Sequence, residues 1–150
     1  MLCILFVCTG NTCRSPMAQI LGEQIAQEES FPFSCSSAGI AAAEGAQASP
    51  FAIAAMAERG LDLTKHRARQ LTPPLLQNTD CIFVMTPMHR QQILLTYPNI
   101  QNKPRQLSEH PIADPFGCSI EEYRRCAAQL EEAIRLQFRN WKEQGTWKSE

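Results

Sequence analysis

The sequence predicts an α/β domain built on a parallel sheet, and three observations carry that prediction. First, the chain is 150 residues long, with 44% hydrophobic and 19% charged residues. That length suits one domain, and the composition supplies enough apolar material for a core. Second, Leu2-Cys3-Ile4-Leu5-Phe6-Val7 and Cys81-Ile82-Phe83-Val84-Met85 are short, unbroken apolar runs. Such runs fit strands buried on both faces, as parallel strands are. Third, these runs alternate with segments of helical periodicity, the pattern of strand–helix–strand units.

The first run leads into the small-residue loop Cys8-Thr9-Gly10-Asn11-Thr12-Cys13-Arg14. Ser15-Pro16 then carries a helix-start signature, with Ser as N-cap and Pro at the first helical position. Met17, Ile20, Leu21 and Ile25 recur at helical spacing, so a helix is expected over 16 to about 28. A second strand is expected near 33–37, closed by Ala38-Gly39, followed by a loop of small residues over 40–49. An Ala-rich helix over 50–59 stops at Gly60. After the strand at 81–85, a helix over 88–96 is cut off before Pro98, and a shorter fourth strand is expected at 103–107. Pro111, Pro115 and Gly117 mark 108–117 as a loop. The last helix, 119 to about 142, places Ile120, Tyr123, Ala127, Leu130, Ile134, Phe138 and Trp141 on one stripe. Its Arg and Lys residues read as a solvated face, and Trp147 as tail.

Fourteen basic residues against fifteen acidic ones leave a formal charge of −1. Such a chain is not built for bulk electrostatic capture of nucleic acid or of an anionic membrane. No apolar run approaches the length of a membrane span, and the N-terminal run lacks the basic flank of a signal peptide. Seven cysteines in no framework spacing point to reduced thiols and a cytoplasmic location. With no Cys-x2-Cys or His-x3-His pair, neither a zinc site nor a cofactor is expected. Cys3, Cys35 and Cys81 fall in or beside strands and read as core thiols, while Cys118 and Cys126 carry no assigned role.

The sharpest feature is Cys8-x5-Arg14-Ser15 between a buried strand and a helix start. A tight turn there aims several backbone N–H groups at one point, and the helix adds its positive end, making an anion cradle. Gly10 and Asn11 are residue types that tolerate left-handed backbone. Arg14 supplies a planar fork for two phosphate oxygens. Cys8 stands at the strand's C-terminal end, where open α/β sheets bind ligands. The donors that hold phosphate also favour the thiolate, which is the nucleophilic form. A Walker loop is excluded, because no Gly-x4-Gly-Lys-Ser/Thr is present.

Val7-Cys8-Thr9-Gly10-Asn11-Thr12-Cys13-Arg14-Ser15-Pro16 resembles the phosphate-binding loop of the low-molecular-weight protein tyrosine phosphatases. The likeness continues through Ser36-Ser37-Ala38-Gly39, His66-Arg67-Ala68-Arg69 and Asp114-Pro115-Phe116-Gly117, so it spans essentially the whole chain. It implies one domain over 1–150, a three-layer flavodoxin-like fold. Its four-stranded parallel sheet would run in the order 2-1-3-4, with helices on both faces. It implies Cys8 as nucleophile, Arg14 as phosphate clamp and Asp114 as the acid that protonates the leaving group and then deprotonates water. Pro115 biases Asp114 to extended backbone. Thr9, Gly10, Asn11, Thr12, Cys13, Ser15 and Phe116 would contact the substrate, with Ser15 donating to the Cys8 sulfur. Asn11, Ser37 and His66 would form a buried network that shapes the loop. The family pattern also implies a reversible Cys8–Cys13 disulfide that guards the nucleophile from over-oxidation.

Two positions bear on specificity. Many relatives carry an aliphatic residue at Thr12 and Tyr at Phe116, and the pattern here looks like the bacterial protein arginine phosphatase branch. A hydroxyl at Thr12 suits a guanidinium or an attacking water, whereas an aliphatic branch suits a phenyl ring. The expected activity is therefore hydrolysis of phosphorylated protein side chains, phosphoarginine first, by a monomer. The alternatives are a phosphotyrosine phosphatase and an arsenate reductase, the latter needing a close downstream cysteine pair that Cys81 lacks. A non-catalytic phosphoprotein-binding module would need neither Cys8 nor Asp114.

Overall fold

Successive residues of the first strand point to opposite sides of the sheet, and each side finds its own helices. In a computed structural model describing residues 2–100 and 104–144, the first strand is β1 (Leu2–Cys8). It is followed by α1 (Arg14–Glu28), β2 (Phe33–Gly39), α2 (Pro50–Ala57) and α3 (Pro73–Gln77). Then come β3 (Cys81–Val84), α4 (Pro87–Thr96), β4 (Arg105–Gln106) and α5 (Ile120–Gln144). The four strands are parallel in the order β2-β1-β3-β4, as the resemblance implied. Lys103 and Trp147 lie outside the described residues.

Ile4 and Phe6 face a core completed by Met17, Leu21 and Ile25 of α1 and by Tyr123, Leu130, Ile134 and Phe138 of α5. Leu5 and Val7 face a smaller core with Ile82, Val84, Leu76 of α3 and Ile93 of α4. The larger core ends in an aromatic cluster in which Phe33, Phe138 and Trp141 stack edge and face within 6 Å. The predicted α5 stripe is buried throughout except for half-buried Ile120. Its basic residues do more than meet solvent. Arg124 pairs with Glu58 just beyond α2 at 2.7 Å, and Arg135 with Glu28 of α1 at 3.0 Å. Such exposed pairs are screened by solvent and add little to stability.

Several boundaries differ from the sequence reading. α1 begins two residues early, and Ser15 is not its cap. Met17 N–H bonds the Cys13 carbonyl, so the helix winds before Pro16, and the Ser15 hydroxyl is committed elsewhere. The Ser-Pro cap signature holds instead at Ser49-Pro50, where Ser49 Oγ accepts from Ala52 N–H. β2 runs on to Gly39, because Ala38 and Gly39 pair with Val7 and Cys8. α2 ends at Ala57, and Gly60 (φ +77°) closes the turn after it. The one-turn helix α3 was not anticipated, being too short for a periodic signal. Cys35 and Cys81 are buried core thiols, whereas Cys3 is only half-buried near the strand's start.

Candidate active site

β1 delivers Cys8 to the C-terminal edge of the sheet, and the chain turns through residues 9–13 before α1. Asn11 makes that turn possible, with left-handed backbone at φ +58°. Gly10, expected to share that role, does not adopt positive φ, and a Cβ there would meet only an ordinary contact. One left-handed residue suffices, because Asn11 is tied down on every side. Its Nδ2 donates to Ser15 Oγ (2.8 Å) and Ser37 Oγ (3.0 Å), and its Oδ1 accepts from Arg69 N–H (2.9 Å). Its carbonyl accepts from His66 Nε2 at 2.8 Å, which assigns the ring proton to that nitrogen. Ser37 Oγ in turn donates a hydrogen bond to Gln19 Oε1. The glycine that the geometry does require is Gly39. A Cβ there would lie 2.6 Å from the Thr9 carbonyl and 3.0 Å from Asn11 N, both backbone atoms of the loop.

The loop brings the expected site residues together. Cys8 is buried, with Sγ 2.9 Å from Ser15 Oγ. Ser15 Oγ accepts from Asn11, and its own proton has two acceptors in reach, the sulfur at 2.9 Å and the Ala38 carbonyl at 3.5 Å, of which the sulfur is the nearer. Arg14 is also buried, and its Nη1 donates to the Ile112 carbonyl at 2.9 Å. Its Nη2 stands 3.6 Å from the half-exposed carboxylate of Asp114. Arg14 Nε is buried with no protein acceptor among the described residues, as suits a donor for an oxyanion in the loop. Asp114 Oδ1 accepts from Phe116 N–H at 3.1 Å, so an Asx turn complements Pro115 in fixing its aim. Cys8, Thr9, Gly10, Thr12, Cys13, Arg14, Asp114 and Phe116 line a cavity of about 210 Å³. Thr12 and the largely exposed Phe116 also border a second, more open hollow with Ser49, Pro50 and Ile53.

Cys13, like Cys8, is a free and buried thiol. Its thiol lies 3.4 Å from Ser49 Oγ and 3.4 Å from Tyr123 OH. Burial, and then the Cys13 thiol as its hydrogen-bond partner, push the Tyr123 phenol up to about 12. Burial likewise raises Cys35 and Cys126 to about 12, leaving both as inert thiols.

Sequence reasoning missed Ser49, Tyr123, Gln19, Arg69 and His89, all of which touch the loop or its supports. Ser49 carried a signal in its Ser-Pro cap. His89 carried one too, three residues beyond the Thr86-Pro87 helix start. Arg69 lay within the His66–Arg69 segment that carries the family likeness, whereas Gln19 and Tyr123 had no signal, because only the packing of α1 and α5 brings them to the loop. Among the described residues, no group of three or more His, Cys, Asp or Glu side chains is placed to hold a metal. No helix among them is long and apolar enough to cross a membrane.

A parallel α/β sheet that ends one strand on a cysteine, inside a loop of amides closed by an arginine, defines a cysteine-based phosphatase. The low molecular weight phosphotyrosine protein phosphatase family model matches residues 3–146, and the chain belongs to that family. It is 38% identical to a protein-arginine-phosphatase of Bacillus subtilis over 138 residues, covering 88% of this chain and 91% of the relative. It is 41% identical over 137 residues to EpsP of Ralstonia nicotianae, a probable low molecular weight protein-tyrosine-phosphatase, covering 89% and 86%. Among solved structures, it superposes on a mutant of the arginine phosphatase YwlE that carries a phosphorylated active-site serine. The TM-score is 0.90 at 35% identity, covering 94% of this chain and 96% of that one.

Proposed function

We propose that the protein hydrolyses phosphoarginine side chains of proteins through a phosphocysteine on Cys8. The observation that carries this reading is Thr12, a hydroxyl on the cavity rim beside Asp114 and Phe116. A guanidinium leaving group is polar and cationic, and Thr12 and Asp114 both suit it. A phenyl ring would gain nothing from the hydroxyl. The phosphorylated active-site serine reported for a YwlE mutant supports covalent transfer to the loop nucleophile in that relative.

In the first step the Cys8 thiolate attacks phosphorus, while Arg14 and the loop amides hold the non-bridging oxygens. The P–N bond breaks, and Asp114, in its acid form, protonates the departing guanidine nitrogen. In the second step Asp114, now a carboxylate, takes a proton from water as the water oxygen attacks the phosphocysteine. The P–S bond breaks, inorganic phosphate forms, and the thiolate is restored with the Ser15 hydroxyl donating to its sulfur. Cys13 would serve as the oxidative guard: where peroxide oxidises Cys8 to its sulfenic acid, the Cys13 thiol would attack that sulfur, expel water and leave a Cys8–Cys13 disulfide that a thiol reductant reopens. With a near-neutral charge and seven free cysteines, the chain reads as a cytoplasmic monomer that engages phosphoproteins rather than nucleic acid or membrane.

The test compares kcat/KM on phosphoarginine and phosphotyrosine peptides in wild type and Thr12→Ile. Losing a hydrogen bond to a charged group costs about 1.5–3 kcal/mol, so phosphoarginine turnover should fall about tenfold or more. Phosphotyrosine turnover should hold or rise. An unchanged ratio would remove Thr12 as the selector and return the protein to the phosphotyrosine reading.

A further inference from the structure

The Asn11 network anchors the second half of the loop, but the first half is held by a different device. Thr9 follows the nucleophile directly, and its carbonyl is taken by Ala41 N–H at 2.9 Å. Its side chain has one protein partner among the described residues, His89 Nε2, 2.9 Å from Oγ1. His89 itself is almost fully buried at 4% exposure, although it belongs to the first turn of α4. Its backbone N–H donates to the Thr86 hydroxyl, and its Nδ1 lies 3.1 Å from that same hydroxyl. Both ring nitrogens are therefore engaged, one on the helix cap and one on the catalytic loop. A buried imidazole with both nitrogens satisfied has a fixed ring plane, so the atom it presents to Thr9 is fixed as well. The groups that act electrostatically on the ring are Arg14 and Asp114. Burial first, and Arg14 second, hold it neutral down to about pH 4.

We propose that His89 is a positioning residue for catalysis, which by gripping the Thr9 hydroxyl fixes the peptide units at Thr9 and Gly10 that face the phosphoryl oxygens. This rests on the reading of Cys8 and its loop as the catalytic cradle, but not on which phosphorylated side chain is cleaved. A loop of amides stabilises a transition state only where its donors are already aimed. Here the aim of the first amides is set from α4, a separate element that contributes no group to the cavity. Thr9 is exposed, so replacing its hydroxyl with a methyl leaves no buried void.

The experiment uses Thr9→Val, Thr9→Ser, His89→Asn and the Thr9→Val/His89→Asn double variant of the full chain. Turnover is measured on phosphoarginine and on p-nitrophenyl phosphate, and orthovanadate affinity and thermal midpoint are measured for each variant. Thr9→Val should lower kcat about tenfold on both substrates and weaken vanadate binding, with its midpoint close to wild type. Thr9→Ser, which keeps the hydroxyl, should stay within about twofold. The double variant should be no slower than the slower single one, because both substitutions break the same bond. Thr9→Val at wild-type kcat, or additive losses in the double variant, overturns the proposal. If only p-nitrophenyl phosphate is turned over, the phosphoarginine reading fails while the Thr9 and His89 comparison still decides the positioning role.

Discussion

Replacing Asn11 with Ala tests how the loop is held, and the structure supplies the magnitude. The side chain makes three hydrogen bonds, two buried ones donated to Ser15 and Ser37 and a partly buried one accepted from Arg69 N–H. At about 1 kcal/mol each, their loss amounts to about 3 kcal/mol. Asn11 also sits at φ +58°, where Ala meets a left-handed strain that Asn tolerates better, adding about 1 kcal/mol. The sum, about 4 kcal/mol, is a large share of the roughly 5–15 kcal/mol by which a domain is stable. It corresponds to a thermal midpoint lowered by roughly 8–16 °C in a chain of this size. Urea denaturation followed by far-UV circular dichroism measures it, with Ser37→Ala, which removes the bond from Asn11 and the bond to Gln19, as a control losing about 2 kcal/mol. Turnover measured well below the midpoint should fall too, since Ser15 loses the donor that orients its hydroxyl toward Cys8. A loss below about 1.5 kcal/mol would refute the idea that this network holds the loop. A full loss of stability with wild-type kcat would show that it holds the loop without aiming it.

Asp114→Asn should slow substrates with poor leaving groups far more than an activated aryl phosphate, and an equal loss on both would remove Asp114 as proton donor. Peroxide should inactivate wild type reversibly, whereas Cys13→Ser should recover poorly on adding a thiol reductant; full recovery would show that Cys13 gives no protection. His89 is depressed to about 4 from an ordinary 6.5, and His66 is shifted the same way by burial. As pH falls below 6.5 the unfolded chain takes up these protons first, so folding stability should decline from pH 6.5 to pH 4. His89→Gln should flatten that slope in denaturant titrations at several pH values, and an unchanged slope would place the linkage elsewhere.

What the sequence determined by itself was whatever depends on near neighbours in the chain. Unbroken apolar runs name buried strands, and the order of strand, tight loop and helix places Cys8, Arg14 and Ser15 on one turn. Cys8, Arg14 and Asp114 were legible because their residue types and order match a known loop, and the structure puts Asp114 3.6 Å from Arg14. Local reading failed where another partner outbid the expected one. Ser15 carries a cap signature, yet its hydroxyl is claimed by Cys8 and Asn11, so the helix starts without it. Gly10 and Asn11 both suited a left-handed turn, and the bonds to Ser37 and from Arg69 put that conformation on Asn11 alone. Tertiary structure alone decided that α4 sends His89 to Thr9 and that α5 sends Tyr123 to Cys13, pairs separated by 80 and 110 positions. No periodicity encodes such contacts, because they exist only once the sheet has brought its C-terminal loops to one edge and the helices have packed against its two faces.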